Sequence, residues 1–143
     1  MATRTGNFPI GFRRAGVEWQ KDLSALAKWS KQSGFDVIDF THRATADDFS
    51  TLKSAGLSHG AVDLLDFSQI MATDTAKRKE VLDANLKFIK DAAAQGAKAF
   101  FTVVIPGDHA AKRGANYKLA VECYAPIADA CAKAGATLAV EGW

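Results

Sequence analysis

The sequence predicts an α/β fold in which parallel strands alternate with helices in the order βαβαβαβαβ. Four helical patterns each end in a glycine and pass directly into a short strand-like run, at Gly34, Gly56, Gly96 and Gly135. Glycine just past a helix accepts the left-handed backbone of a C-cap, so these positions mark where helices end and strands begin. The run at 98–105 is continuously apolar, as in a parallel strand covered by helices.

The first strand is predicted at 8–12 and is followed by a helix at 19–33. In that helix Leu23, Leu26 and Ala27 recur at helical spacing and share one face with Ser30. Such a stripe is typical of a helix that packs one side against a sheet.

The second strand is predicted at 35–40 and the third at 58–64, with a short helix at 45–55 between them. Thr45 and Asp48 resemble a capping box, with Asp in place of the usual Glu or Gln. This pair fixes the predicted beginning of the short helix.

The third helix is predicted to begin near Thr73 and Asp74 and to be the longest of the chain. It leads into the fourth strand at 98–105. Its helical spacing is carried by apolar residues: Val81, Leu82, Leu86, Ile89, Ala92 and Ala93. These positions predict a helix buried along one side.

The fourth helix is predicted at 116–133 and the fifth strand at 137–141. Cys123 and Cys131 lie eight positions apart within this helix, too far along its axis for a disulfide between them. They share a stripe with other apolar residues, so we expect both to be buried thiols.

Composition and charge exclude several classes of protein. The 143 residues are 48% apolar and carry a formal net charge of +2, with no basic stripe suited to nucleic acid. No apolar run approaches the roughly 20 residues that span a bilayer, and the N-terminus has no apolar signal core. We therefore expect one domain, no nucleic-acid or membrane partner, and a cytoplasmic location.

Two architectures share this element order: an open doubly wound sheet and a (β/α)₈ barrel. The turn after the first strand, at 10–16, has no GxGxxG, and GxxxxGK[ST] is absent from the sequence. Both phosphate-loop interpretations are therefore disfavoured. In either architecture ligands bind at the carboxyl ends of the strands. The polar residues predicted there are Arg13, Arg14, Asp39, Thr41, His42, Asp63, Asp66, Asp108, His109 and Glu141.

Four phrases, in order and at matching spacing, resemble the sugar isomerase/epimerase superfamily, the TIM barrels related to xylose isomerase that include sugar phosphate isomerase/epimerases. They are Phe8-Pro9-Ile10-Gly11-Phe12, Gly34 to Asp39, Ala55 to Leu64, and Leu138-Ala139-Val140-Glu141-Gly142-Trp143. The resemblance covers the whole chain. It implies that residues 1–143 are the N-terminal portion of a single xylose isomerase-like (β/α)₈ barrel domain, truncated after the fifth strand.

The resemblance also implies a role for Glu141, as a metal ligand and as one of two carboxylates that move a proton beside a carbonyl. A hard divalent cation, whether manganese, magnesium, cobalt or zinc, takes carboxylate oxygens and acidifies the neighbouring C–H. The remaining ligands would come from later strands, so we expect this chain alone to be inactive. The alternative is that Glu141 is a surface charge after a buried strand.

Substrate-binding candidates are His109, Asp63 and Arg13. His109 could reach a substrate over the barrel mouth, or could be a solvated loop histidine. Arg13 with Arg14 could hold a sugar phosphate, although adjacent arginines in such a loop often face water. The sequence is therefore compatible with either a free sugar or a sugar phosphate as substrate.

The function that follows is a metal-dependent isomerase or epimerase of a sugar, sugar phosphate or polyol, present here as an incomplete fragment. An inosose dehydratase-type lyase would use the same metal and base, and a non-catalytic half-barrel or assembly module is a further alternative. A nuclease of the endonuclease IV kind is disfavoured by the content of three histidines. Because the two edge strands are predicted to be unpaired, we also expect weak stability or a homo-oligomer.

Overall fold

The computed structural model describes residues 8–41 and 44–142, and within these it forms one five-stranded sheet. The strands pair in sequential order, and every pair is parallel. They are β1 (Gly11–Arg13), β2 (Val37–Phe40), β3 (Ser58–Asp63), β4 (Ala99–Val104) and β5 (Thr137–Gly142). The predicted strand order and direction are confirmed.

A helix connects each strand to the next: α1 (Leu23–Gln32), α2 (Ala46–Ser54), α3 (Thr75–Ala94) and α4 (Arg113–Lys133). Short 3₁₀ turns at Glu18–Gln20 and Phe67–Gln69 precede α1 and α3. Among the helices of residues 8–41 and 44–142, none combines the length and apolar character needed to cross a membrane.

All four helices pack on one side of the sheet. Alternate strand residues, represented by Ile38, Val62 and Phe100, are fully buried in the same hydrophobic cluster as Leu26 of α1 and Ile127 of α4. Right-handed crossovers between neighbouring parallel strands place their helices on a common side, as in a barrel. The opposite side of the sheet, which we call the inner face, is left for the candidate site.

Several predicted boundaries shift. The first strand is shorter and ends one residue later. Its bonding to β2 runs from the Ile10 carbonyl, which accepts from Asp36 N at 2.8 Å, to Arg14 N, which donates to the Asp39 carbonyl at 3.0 Å. Helix α1 begins later, at Leu23, because the Asp22 carboxylate caps it by accepting from Ala25 N. Helix α4 spans 21 residues and α3 spans 20, so α3 is not the longest.

The predicted helix ends are confirmed by backbone geometry. Gly34, Gly56, Gly96 and Gly135 all have positive φ, between 63° and 107°. A side chain would be strained in that region, so each glycine lets the chain leave its helix and enter the next strand. At the other end of α2, the Thr45 and Asp48 capping box is present in full.

The two cysteines are free thiols that differ in burial: Cys131 is 1% exposed, whereas Cys123 is only half-buried. The expectation of burial is therefore confirmed for Cys131 and too strong for Cys123. Burial raises the pKa of the Cys131 thiol from its ordinary value of 9.0 to about 11.

This shift predicts a loss of stability in alkali. Between pH 9 and 11 the Cys131 thiol ionises in the unfolded chain but stays protonated in the folded one, so the free energy of unfolding should fall across that interval. Urea denaturation at pH 8, 9, 10 and 11 measures this, with Cys131→Ala for comparison. The variant should lose less of its unfolding free energy over the same pH range, and an equal loss would contradict the assignment.

Candidate functional site

The alternation of side chains along β4 and β5 determines which of their residues lie on the inner face. In β4, Phe100 and Thr102 are buried against the helices, so Phe101 and Val103 belong to the inner face. Glu141 pairs in register with Val103, and Leu138 of the same strand packs against the core. The alternation thus assigns Glu141 to the inner face, near the carboxyl end of β5.

An ion pair crosses this face from β1 to β3. Arg13 Nη2 donates to Asp63 Oδ2 at 2.5 Å, and the guanidinium carbon lies 5.0 Å from the centroid of the Phe101 ring in β4. In a flat sheet β1 and β4 would be about 14 Å apart. The contact therefore indicates a curved sheet whose inner side chains converge, as they do inside a barrel.

The two members of the pair differ greatly in exposure. The Asp63 side chain is 4% exposed, whereas that of Arg13 is 43% exposed. A buried carboxylate is stabilised by a hydrogen-bonded cation, and it is costly to leave without one. Asp63 thus holds Arg13 over the inner face, with part of the guanidinium open to a ligand.

A pocket of about 320 Å³ lies beside this pair, lined by Thr41, Asp63 and the loop at 64–68. Asp66 in that loop has φ 44°, and it is the only residue other than glycine with positive φ in the described part of the chain. Within the same part, the buried Thr41 hydroxyl oxygen has no hydrogen-bond partner. Strained backbone and an unsatisfied hydroxyl are features that cluster at ligand sites.

The pocket loop is held from behind by Asn85 of α3, a residue that is fully buried. Its amide oxygen accepts from Leu65 N at 2.8 Å, and its amide nitrogen donates to the Leu65 and Val81 carbonyls, both at 2.9 Å. Asn85 is not among the site residues predicted from the sequence. The available signal was a polar residue in the apolar period of α3, four positions after Val81 and four before Ile89.

Two of the candidate residues are engaged in structural contacts. The Arg14 guanidinium donates to the carbonyls of Gln20 and Lys21 at 3.0 and 2.7 Å and lies 3.7 Å from Asp48. Asp39 Oδ1 accepts from Ala61 N at 2.8 Å, where the register between β2 and β3 shifts by one residue. Arg14 thus joins the first loop to α2, and Asp39 stabilises the bulge.

The remaining candidates lie apart from the ion pair. His109 is exposed and lines a second pocket of about 600 Å³ with Asp74 and Lys77. Ser68 lines both pockets, so they are adjacent. Glu141 is exposed on β5, and His42 lies outside the described residues.

Glu141 has the donor chemistry of a ligand for a hard divalent cation. In residues 8–41 and 44–142, however, no group of three or more His, Cys, Asp or Glu side chains could hold a metal ion. The described residues therefore do not by themselves supply three ligands of such a site.

Comparison of the sequence with family models and with curated proteins gives no match. Solved structures do match. A sugar phosphate isomerase/epimerase from Parabacteroides distasonis has a TM-score of 0.73 at 13% identity, covering 99% of this chain and 54% of its own. The D-psicose 3-epimerase from Clostridium cellulolyticum H10, solved with D-tagatose, has a TM-score of 0.69 at 14% identity, covering 90% and 50%.

A xylose isomerase-like TIM barrel protein from Mycobacterium smegmatis, in complex with magnesium, has a TM-score of 0.62 at 17% identity and covers 94% of this chain and 55% of its own. The chain thus spans about half the length of the barrels it matches. These likenesses confirm, for the fold, the resemblance suggested by the sequence: the chain has the fold of part of a xylose isomerase-like TIM barrel.

Proposed function

We propose that this chain contributes the sugar-binding half of the active site of a metal-dependent isomerase or epimerase that acts on a sugar or polyol. The observation that carries the proposal is the Arg13 and Asp63 ion pair on the inner face, beside the pocket at the carboxyl ends of the strands. Ligands of parallel α/β barrels bind at that end. The sugar-processing neighbours of the same fold support the choice of substrate class.

Arg13 and Asp63 are suited to orient a polyhydroxylated substrate. The exposed part of the Arg13 guanidinium offers N–H donors to hydroxyl and carbonyl oxygens, and Thr41 offers a hydroxyl that can donate or accept. Phe101 lies against the guanidinium and limits its movement. Fixed donors of this kind place a substrate carbon at a defined distance from a catalytic group.

Glu141 is the proposed base. Its carboxylate would take the proton from the carbon beside the substrate carbonyl. In isomerisation this proton would return to the carbonyl carbon while the neighbouring hydroxyl proton moves to the carbonyl oxygen, whereas in epimerisation the second carboxyl group would give a proton to the opposite face of the same carbon. A divalent cation, when bound, would polarise the carbonyl and so acidify this C–H. Glu141 would supply one of its ligands, and the others would come from outside the described residues.

The test is proton exchange in the full-length protein that contains this chain. Ketoses, aldoses and polyol-derived ketones are incubated in D₂O with manganese, magnesium, cobalt or zinc and followed by NMR. The proposal expects deuterium at the carbon beside the carbonyl, together with an isomer or epimer. Loss of water from the substrate would instead indicate a dehydratase, and absence of exchange from every substrate would contradict the proposal.

A further inference from the structure

We propose that the site selects unphosphorylated sugars and excludes their phosphate esters, an inference that rests on the proposed function. Arg13 and Arg14 are adjacent in the sequence, and together they are the candidates for binding a substrate phosphate. In the structure both guanidinium groups are engaged by the protein itself, and the pocket beside them is acidic.

Arg14 is turned away from any substrate phosphate. Two of its nitrogens donate to backbone carbonyls of the 3₁₀ turn region, at Gln20 and Lys21, and a third lies near the Asp48 carboxylate. Bidentate binding of a phosphate needs a pair of guanidinium N–H groups aimed at the anion. Arg14 would have to break these contacts to provide such a pair.

Arg13 faces the site, but its charge is balanced by Asp63. A phosphate dianion placed on Arg13 would approach a carboxylate that is 2.5 Å from the same guanidinium and almost fully buried. Because the Asp63 side chain is buried, its charge is screened by water less than that of a surface carboxylate. A neutral hydroxyl meets no such repulsion and can accept from the exposed N–H groups of Arg13.

The pocket itself adds one further acidic group, Asp66, and no cation. The described residues that line it include Asp63 and Asp66, and none of them is a lysine, arginine or histidine. The helix N-termini next to the strand ends are also blocked for anions in three of four cases, because the side chains of Asp22, Thr45 and Asp74 cap α1, α2 and α3. Helix α4 is the exception, because it begins after Lys112 without a side-chain cap.

The experiment compares D-fructose and D-tagatose with their 6-phosphate esters in the full-length protein. We expect kcat/KM for the free sugars to exceed that for the esters by about a hundredfold or more, because like charges oppose the ester in the bound complex. Inorganic phosphate should show no saturable binding by calorimetry or by NMR shifts near Arg13. A preference for the esters, or phosphate binding that Arg13→Met abolishes, would overturn the inference.

Asp63→Asn provides a gain-of-binding test, since it removes the carboxylate that balances Arg13. The preference for free sugars should fall by about tenfold, and inorganic phosphate should begin to bind. Asp129→Asn, on the exposed surface of α4, changes the net charge equally and should leave both readouts unchanged. A folded Asp63→Asn protein with an unchanged preference would overturn the inference, and if this variant does not fold, the wild-type and Arg13→Met titrations decide the question.

The phosphate titration is independent of turnover, so the two proposals fail separately. Exclusion of phosphate without turnover of any sugar would contradict the proposed function alone. Turnover of sugar phosphates at the rate of free sugars would support the isomerase or epimerase and contradict the selection proposed here.

Discussion

Replacing Glu141 with Gln in the full-length protein is expected to lower kcat/KM by about 10²–10⁴-fold, the usual contribution of a positioned acid or base. The amide keeps the size and the position of the side chain on β5, but it can neither accept the substrate proton nor offer a negative charge to a cation. Affinity for the divalent metal should fall in the same variant. Steady-state kinetics and metal titration measure the two effects.

Glu122→Gln is the matched control for this experiment. Glu122 lies on the exposed surface of α4, so its substitution makes the same chemical change away from the inner face. It should leave kcat/KM and metal affinity unchanged. Wild-type activity in Glu141→Gln would refute the proton-transfer role. Glu141 would then be a surface charge that follows a buried strand.

Asn85→Leu is expected to lower the free energy of unfolding by about 2–5 kcal/mol, because the nearly isosteric apolar side chain leaves partly buried backbone groups without partners. The Leu65 N–H and carbonyl would both lose their hydrogen bonds to the amide. Each unsatisfied buried group costs roughly 1–3 kcal/mol, and the loop at 64–68 would lose its anchor to α3. Urea denaturation measures the total.

The local effect can be separated from the global one by amide hydrogen exchange. Protection of the loop at 64–68 should fall more than that of β4, because the loop is released even in folded molecules. Asn116→Leu is the control: this half-buried residue makes one side-chain hydrogen bond, to the Asp108 carbonyl, and should cost about 1 kcal/mol or less. Equal costs at the two positions would show that Asn85 is not a special anchor.

Much of the fold could be predicted because its signals are local. A glycine after a helical stripe determines where a helix ends, and Thr45 with Asp48 determines where α2 begins, and both kinds of signal are confirmed. The prediction is less accurate for the first strand. Residues 8–10 are apolar enough for a strand, but the chain pairs regularly with β2 only at Gly11–Arg13. The sequence pattern of one segment does not show which residues of the neighbouring strand are in place to pair with it.

The site was harder to predict because its geometry is non-local. Arg13 and Asp63 could be named as polar residues at strand ends, but their contact depends on the curvature of the sheet between them. The hydrogen bonds from Arg14 to the Gln20 and Lys21 carbonyls depend on a 3₁₀ turn, and this turn has no apolar periodicity by which it could be predicted. Asn85 is absent from the predicted site because its partner is a backbone group twenty residues away.

The two ends of the sheet differ in how freely they can be redesigned. The helix-to-strand turns at 33–36, 55–57, 95–98 and 134–136 are short and alike, each with a glycine whose conformation few other residues tolerate. The strand-to-helix loops at 14–22, 64–74 and 105–112 vary in length. The first of them holds Arg14, and the other two line the pockets. Substitutions in those three loops are therefore expected to reshape the pockets without loss of the fold, while Arg13 and Asp63 keep their places on β1 and β3.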